Sequence, residues 1–161
     1  MKRTRFIIFA VLTFAWLGVI YSFSLEPADV SDDTSLGLID TLVNMFLPWL
    51  KDELAQLSQP QMDVLHTFVR KCAHFTEYMI LGILAALTLL QTKITRWRNI
   101  ALLSTGYCIL AASVDETIQL FVDGRAGRIG DVVIDGAGAA VGVGIVFSIL
   151  RLWKSWKIRI L

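Results

Sequence analysis

Residues 72–90 read CAHFTEYMILGILAALTLL. The run is long enough to cross a bilayer, which takes about 20 mainly apolar residues. Yet it carries His74 and Glu77 near its start. Ionisable side chains inside a spanning helix are costly and by default mark a functional site. Three further stretches have spanning length. Residues 6–23 carry no charge, residues 100–122 carry Asp115 and Glu116 toward their end, and residues 131–152 open on Asp131 and Asp135. The chain is 55% hydrophobic, above the roughly 45–50% of a soluble domain. The expected fold is all-α: one membrane domain over residues 1–161, with four transmembrane helices and an extracytoplasmic segment over 24–70. The net charge of +1 implies no polyanion, and so no nucleic-acid partner. Cys72 and Cys108 both lie in apolar runs. They are expected to be small buried residues, with no disulfide framework.

Lys2, Arg3 and Arg5 precede the first apolar run, as in a secretory signal. The run is long for a signal core and Ser22 and Ser24 make a poor cleavage pattern, so an uncleaved span is expected. Ten of the 15 basic residues fall in the N-terminus, in the loop holding Lys93, Arg96 and Arg98, and in the tail holding Arg151, Lys154, Lys157 and Arg159. Four alternating helices put these three segments on one side. The positive-inside rule makes that side cytoplasmic, with both termini there and Trp97, Trp153 and Trp156 at the inner interface.

The acids then fall in one layer. At about 1.5 Å per residue, Glu77 lies about 9 Å inward of Lys71, Asp115 about 22 Å from Ile100, and Asp135 about 6 Å below Asp131. All three depths are in the outer third of a core about 30 Å thick. Between the first and second spans, Leu38, Ile39, Leu42, Val43, Phe46, Trp49 and Leu50 recur at helical spacing. They predict one or two short amphipathic helices over 35–57 in the outer interface, broken or kinked at Pro48. Ser58 and Pro60 read as a helix start. From there Asp63, His66, Arg70, His74 and Glu77 trace one polar stripe. Its upper part is expected to be a solvated face, with His66 a surface histidine. Gly138 and Gly142, and Gly136, Ala140 and Gly144, form small-residue faces for close packing within the bundle.

Two stretches resemble a known family. Residues 70–82, RKCAHFTEYMILG, look like the VanZ-like pattern of a basic residue, His-Phe, Glu-Tyr and Leu-Gly. Asp115-Glu116, Gln119, Phe121, Arg125, Asp131, Gly138 and Gly142 are similar to the family's second block, and Ser24 and Pro27 to its Ser-x-x-Pro. One departure is Asp135, where the family often has Asn. The resemblance implies a multi-pass protein of the bacterial cytoplasmic (inner) membrane, acting in the cell envelope. The family includes a protein associated with resistance to the lipoglycopeptide teicoplanin. The resemblance carries no mechanism with it.

The residues themselves suggest chemistry at the outer leaflet. His74, Glu77 and Asp115 are the catalytic candidates, because a histidine among carboxylates moves protons near neutral pH. Lys71, Arg125 and Arg128 can hold a phosphate or carboxylate. Tyr78, Glu116, Gln119, Asp131 and Asp135 complete the candidate binding set. Glu77, Asp115, Gln119, Arg125, Asp131 and Asp135 are expected to surround His74 in one pocket. The partners implied are membrane lipids and a lipid-linked cell-wall precursor or lipoglycopeptide. No nucleophile arrangement is evident, so the enzyme question stays open. His74-x-x-Glu77 with Asp115 is a metal-ligand spacing, but it is one short pattern, and neither a metal nor another cofactor is expected. Two alternatives stand beside this reading: recognition of a lipid or antibiotic without chemistry, and a network that only fastens helix ends, with Asp131 as a cap. The inner halves of all four spans lack acids, which argues against a proton path across the membrane. The oligomeric state is not legible.

Overall fold

A computed structural model of the chain describes residues 2–94 and 96–159. The side chains of 2, 29, 32, 33, 35, 38, 42 and 154–159 lie outside that description, and with them the expected roles of Leu38, Leu42, Trp156, Lys154, Lys157 and Arg159. Among the described residues six α-helices follow in order: α1 (Lys2–Ser24), α2 (Ala28–Phe46), α3 (Lys51–Ala55), α4 (Gln59–Leu89), α5 (Trp97–Gln119) and α6 (Ile129–Arg159). A single 3₁₀ turn, Pro48–Leu50, separates α2 from α3. No strand occurs among the described residues.

By length and composition, α1, α4 and α6 can cross a membrane. Helix α5 holds the expected third span and has the same 23 residues as α1. It is less apolar, because Asp115, Glu116 and Gln119 occupy its last turns. Helix α4 has 31 residues, about 46 Å at the ordinary rise, so it overshoots a core about 30 Å thick by several turns. Ser58 donates its N–H and hydroxyl to Gln61 Oε1 at 2.9 and 2.8 Å, which fixes the start of α4 where the sequence expected it. Pro48 acts as expected too. Leu47 leaves helical geometry, as residues before proline do, and α2 stops at Phe46. The start of α2 was not expected. The helix begins at Ala28, directly after Pro27, rather than near Ser35.

Helix α4 is the hub and packs on α1, α2, α5 and α6, most extensively on α6. The contact with α6 is close because both helices present glycine. A Cβ on Gly138 would run into the Phe75 carbonyl oxygen, and one on Gly142 into that of Met79. Gly82 answers from α4, where a Cβ would strike the Ala139 carbonyl oxygen. The Gly138–Gly142 face therefore works within the bundle, as the small-residue rule for membrane helices predicts. The second small-residue face does not pack in the same way: Gly144 has nothing within 4 Å of its would-be Cβ, and Ala140 is exposed.

The apolar core has two parts. Ile20, Tyr78, Leu81, Cys108, Ala112 and Ala139 are buried together next to the polar layer. Ala86, Val143 and Val146 form a second cluster toward the α4–α5 turn. Outside the core, Ile7, Val11 and Phe14 of α1, Leu102 and Leu110 of α5, and Val133 and Ile149 of α6 are exposed. A soluble protein rarely shows so continuous an apolar exterior, and lipid is the solvent it suits. Cys108 is fully buried, as expected. Cys72 is exposed, against expectation, because it lies on the face of α4 turned away from the core.

Candidate functional site

Three helices bring their costly residues to one point. Helix α4 contributes His74, α5 contributes Asp115 and Glu116, and α6 contributes Asp135. Four potential ligand atoms, one from each, lie within 4.8 Å of one another. Asp115 and Asp135 are 0% exposed, Glu116 6% and His74 9%. Adjacent residues on a helix point about 100° apart. Asp115 and Glu116 can both face inward only because α5 is flanked by both α4 and α6 here.

The polar satisfaction of this group is incomplete. His74 Nδ1 stands 3.5 Å from Asp135 Oδ1, an ion-pair separation. Neither atom has a closer partner, the second oxygen of Asp135 and Oε1 of Glu116 have none, and Asp115 has only a Ser24 contact. The buried Tyr78 hydroxyl beside them is likewise unpartnered and lies within the electrostatic reach of Asp115 and Asp135. Glu116 Oε2 is the exception, for it accepts the Arg128 backbone N–H at 2.6 Å. That contact ties the end of α5 to the start of α6, where a negative charge meets the positive end of the helix dipole. Gly127 allows the approach, since a Cβ there would strike the Glu116 carbonyl oxygen.

Around this group lie two cavities that share Arg70 and His74. The first, about 190 Å³, is lined by Phe23, Ser24, Glu26, Ser31, Thr34, Glu77 and Arg125. The second, about 140 Å³, is lined by Thr67, Lys71, Gly124, Ala126, Arg128 and Asp131. The rim is basic: Arg70 and Arg125 are half-buried, while Lys71 and Arg128 are exposed. Arg70 Nη2 donates to Gln119 Oε1 at 2.9 Å, and Gln119 Nε2 reaches Ser24 Oγ at 3.4 Å. Arg125 Nη1 donates to the Ser24 carbonyl oxygen at 3.3 Å. Trp16 Nε1 donates to the Glu77 carbonyl oxygen at 2.9 Å, so α1 is held to α4 at the same level. The loop itself is fixed by Gly124, which has φ +73°, and by the Ala28 N–H donating to the Asp123 carbonyl at 3.2 Å.

The residues expected in one pocket around His74 do not share one: Glu77 and Arg125 line the first cavity, Asp131 the second, and Asp115, Gln119 and Asp135 neither. Asp115, Glu116 and Asp135 cluster with it. Glu77 lines the first cavity and stands outside the cluster. Gln119 is fully buried and braces Arg70. Asp131 sits in the first turn of α6 rather than before it, so it is not the cap. Arg70 and Ser24 were missed. The sequence offered Arg70 as part of a solvated stripe, but the bend after α1 folds over it, as its place in the first cavity with Phe23, Ser24 and Ser31 shows. His66 was expected at the surface and is half-buried, with Nε2 shut off from solvent.

Chemically, a buried imidazole next to a carboxylate and facing a cavity can take a proton from a bound group. A basic rim can hold an anion. The VanZ/LLP1 family model matches residues 9–151, which takes in every residue of the site. The chain belongs to the VanZ/LLP1 family. Searches of the curated proteins and of the solved structures found no match.

Proposed function

We propose that this VanZ/LLP1 protein binds the anionic headgroup of an amphiphile at the outer face of the cytoplasmic membrane, a lipid or a lipid-linked cell-wall precursor, and thereby affects susceptibility to glycopeptides such as teicoplanin. The observation that carries the reading is the basic rim. Arg70, Lys71, Arg125 and Arg128 line two cavities that meet at His74. A guanidinium pair suits a phosphate or carboxylate by forked hydrogen bonding. The apolar exterior beside the rim, including Phe68 and Val64 on α4, suits acyl chains. In this reading α1, α4, α5 and α6 all cross the bilayer, both termini are cytoplasmic by the positive-inside rule, and α2 lies in the outer interface. Lys71, Arg125 and Arg128 hold the anion, and His74 and Glu77 face the group to be recognised or transformed, with Asp115 buried behind His74.

The test pairs binding with phenotype. Native mass spectrometry of the purified full chain with phosphatidylglycerol and with a zwitterionic lipid should show retention of the anionic lipid. Arg125→Ala and Lys71→Ala should each weaken it several-fold. Expression in a susceptible host should raise the teicoplanin inhibitory concentration, and the same variants should lose that effect at equal protein level. Equal retention of both lipids by wild type and variants sinks the headgroup assignment. A second reading has its own support. The Arg70–Gln119, Arg125–Ser24 and Glu116–Arg128 contacts all tie helix ends together. If the variants lose thermal stability in proportion to phenotype and lipid retention is unaffected, the rim fastens the bundle and recognises nothing.

A further inference from the structure

We propose that His74, Asp115, Glu116 and Asp135 bind a first-row transition-metal dication. The assignment rests on the geometry of these four residues and stands whether or not an amphiphile binds at the rim. Their donor atoms come from three separate helices and lie within 4.8 Å of one another. Donors held at about 2.0–2.2 Å from one metal lie about 3–4.3 Å apart, so sub-ångström side-chain movement closes the shell. Glycine contacts lock α4 to α6, so His74 and Asp135 are held from rigid elements, and Glu116 is fixed by the Arg128 N–H.

A second observation is independent of the clustering. Apart from the 3.5 Å approach of His74 Nδ1 to Asp135 Oδ1 and a Ser24 contact on Asp115, the carboxylate oxygens of Asp115 and Asp135 and Oε1 of Glu116 are buried without a close hydrogen-bond partner, in residues that are all nine-tenths buried or more. The neighbouring Tyr78 hydroxyl is unpartnered as well, and its residue is 0% exposed. Native interiors rarely leave so many acceptors unmet in one place, and such a group calls for an explanation. Acceptors meeting acceptors need a cation or protons between them. Three carboxylates cluster with one imidazole here, and the charge of Arg125, which also acts on Asp115, can offset only one of them. One nitrogen with carboxylate oxygens favours Mn²⁺, Fe²⁺ or Zn²⁺ over Ca²⁺ and Mg²⁺, which take oxygen shells. His74 also lines both cavities, which gives an ion a way in. His74 and Asp115 were paired with Glu77 in the sequence as a weak metal pattern. The fold replaces Glu77 by Glu116 and Asp135.

The experiment uses the purified full chain in detergent, stripped with EDTA and titrated with Co²⁺ as a spectroscopic probe, with Mn²⁺ and Zn²⁺ in competition. Wild type should bind roughly one equivalent and develop visible d–d bands that Zn²⁺ abolishes. Asp115→Asn and Asp135→Asn should weaken binding by about 100-fold or more, the upper end of what even outer partners of a metal cost. Asp52→Asn, exposed on α3 and remote from the cluster, should leave it unchanged. No d–d bands in the wild type, or equal affinity in Asp115→Asn, Asp135→Asn and wild type, overturns the proposal and leaves shared protons as the answer to the buried acids. If one of these variants fails to fold, the wild-type spectrum and the other variant still decide.

Discussion

Gly138→Ala is the most direct test of how the fold makes the site. The new methyl would meet the Phe75 carbonyl oxygen, with Phe75 C at 3.0 Å and Cα at 3.2 Å. These are backbone atoms in the middle of a helix, and no rotamer change relieves them. Restoring ordinary contact needs about 1 Å of separation between α4 and α6. Overpacking of this kind costs typically about 1–3 kcal/mol. Gly138 lies one turn from Asp135, and Phe75 is next to His74, so the same movement pulls the two site residues apart from 3.5 Å. Gly144→Ala is the control. It has open space around it, and the exchange should be neutral or stabilising by up to about 1 kcal/mol through helix propensity. Thermal unfolding followed by size-exclusion chromatography in one detergent reads the difference. A loss of 1 kcal/mol corresponds to roughly 2–4 °C for a domain of this size, so Gly138→Ala should melt several degrees below Gly144→Ala. It should also lose Co²⁺ affinity if the metal assignment holds. Equal melting of the two variants would refute the argument that close α4–α6 contact sets the geometry.

Arg70→Ala strips the buried Gln119 Oε1 of its donor at 2.9 Å; an unmet buried acceptor costs about 1–3 kcal/mol, so the melting temperature should fall and Gln119→Leu should partly restore it. Glu116→Gln keeps an acceptor for the Arg128 N–H and should preserve most of the stability that Glu116→Ala loses, as read by the same melts. Leu81→Ala empties a fully buried position and should destabilise by about 2–5 kcal/mol, more than any rim substitution. Cys72 is exposed and Cys108 buried, so a lipid-soluble maleimide should modify the folded chain once, at Cys72, and Cys72→Ser should abolish the modification.

The acids of the site were legible because the membrane makes them expensive. No apolar helix carries Glu77, Asp115 or Asp135 without something in return, and the alternation of spans put them at one end. The Gly138–Gly142 face was legible for a similar reason, since small residues in series have a plain use between helices. What could not be read was rotation. Arg70 shares a stripe with Asp63 and His66, and its spacing alone gives water as its partner. It becomes a site residue because the end of α1 brings Ser24 and Phe23 over that stripe, a pairing between residues far apart in the chain. Cys72 fails the other way. It lies in an apolar run, but hydropathy does not say whether an apolar residue faces core or lipid, and in a membrane both are apolar. The start of α2 at Ala28 was hidden by a string of acids, Asp29, Asp32 and Asp33, that reads as a loop.

The position of Asp135 joins these strands of the argument. It stands where the family resemblance favours asparagine, and its carboxylate is the one paired with His74. An amide there could donate to Asp115 or Glu116 and lower the demand for an outside cation. The carboxylate cannot donate when ionised, so it adds to an already unmet set of acceptors. A stable fold with that substitution needs the extra negative charge answered inside the bundle, by protons or by an ion. Asp135→Asn therefore separates the two proposals made for this site. It should weaken metal binding while leaving the basic rim, whose side chains line the two cavities, able to hold an anionic headgroup.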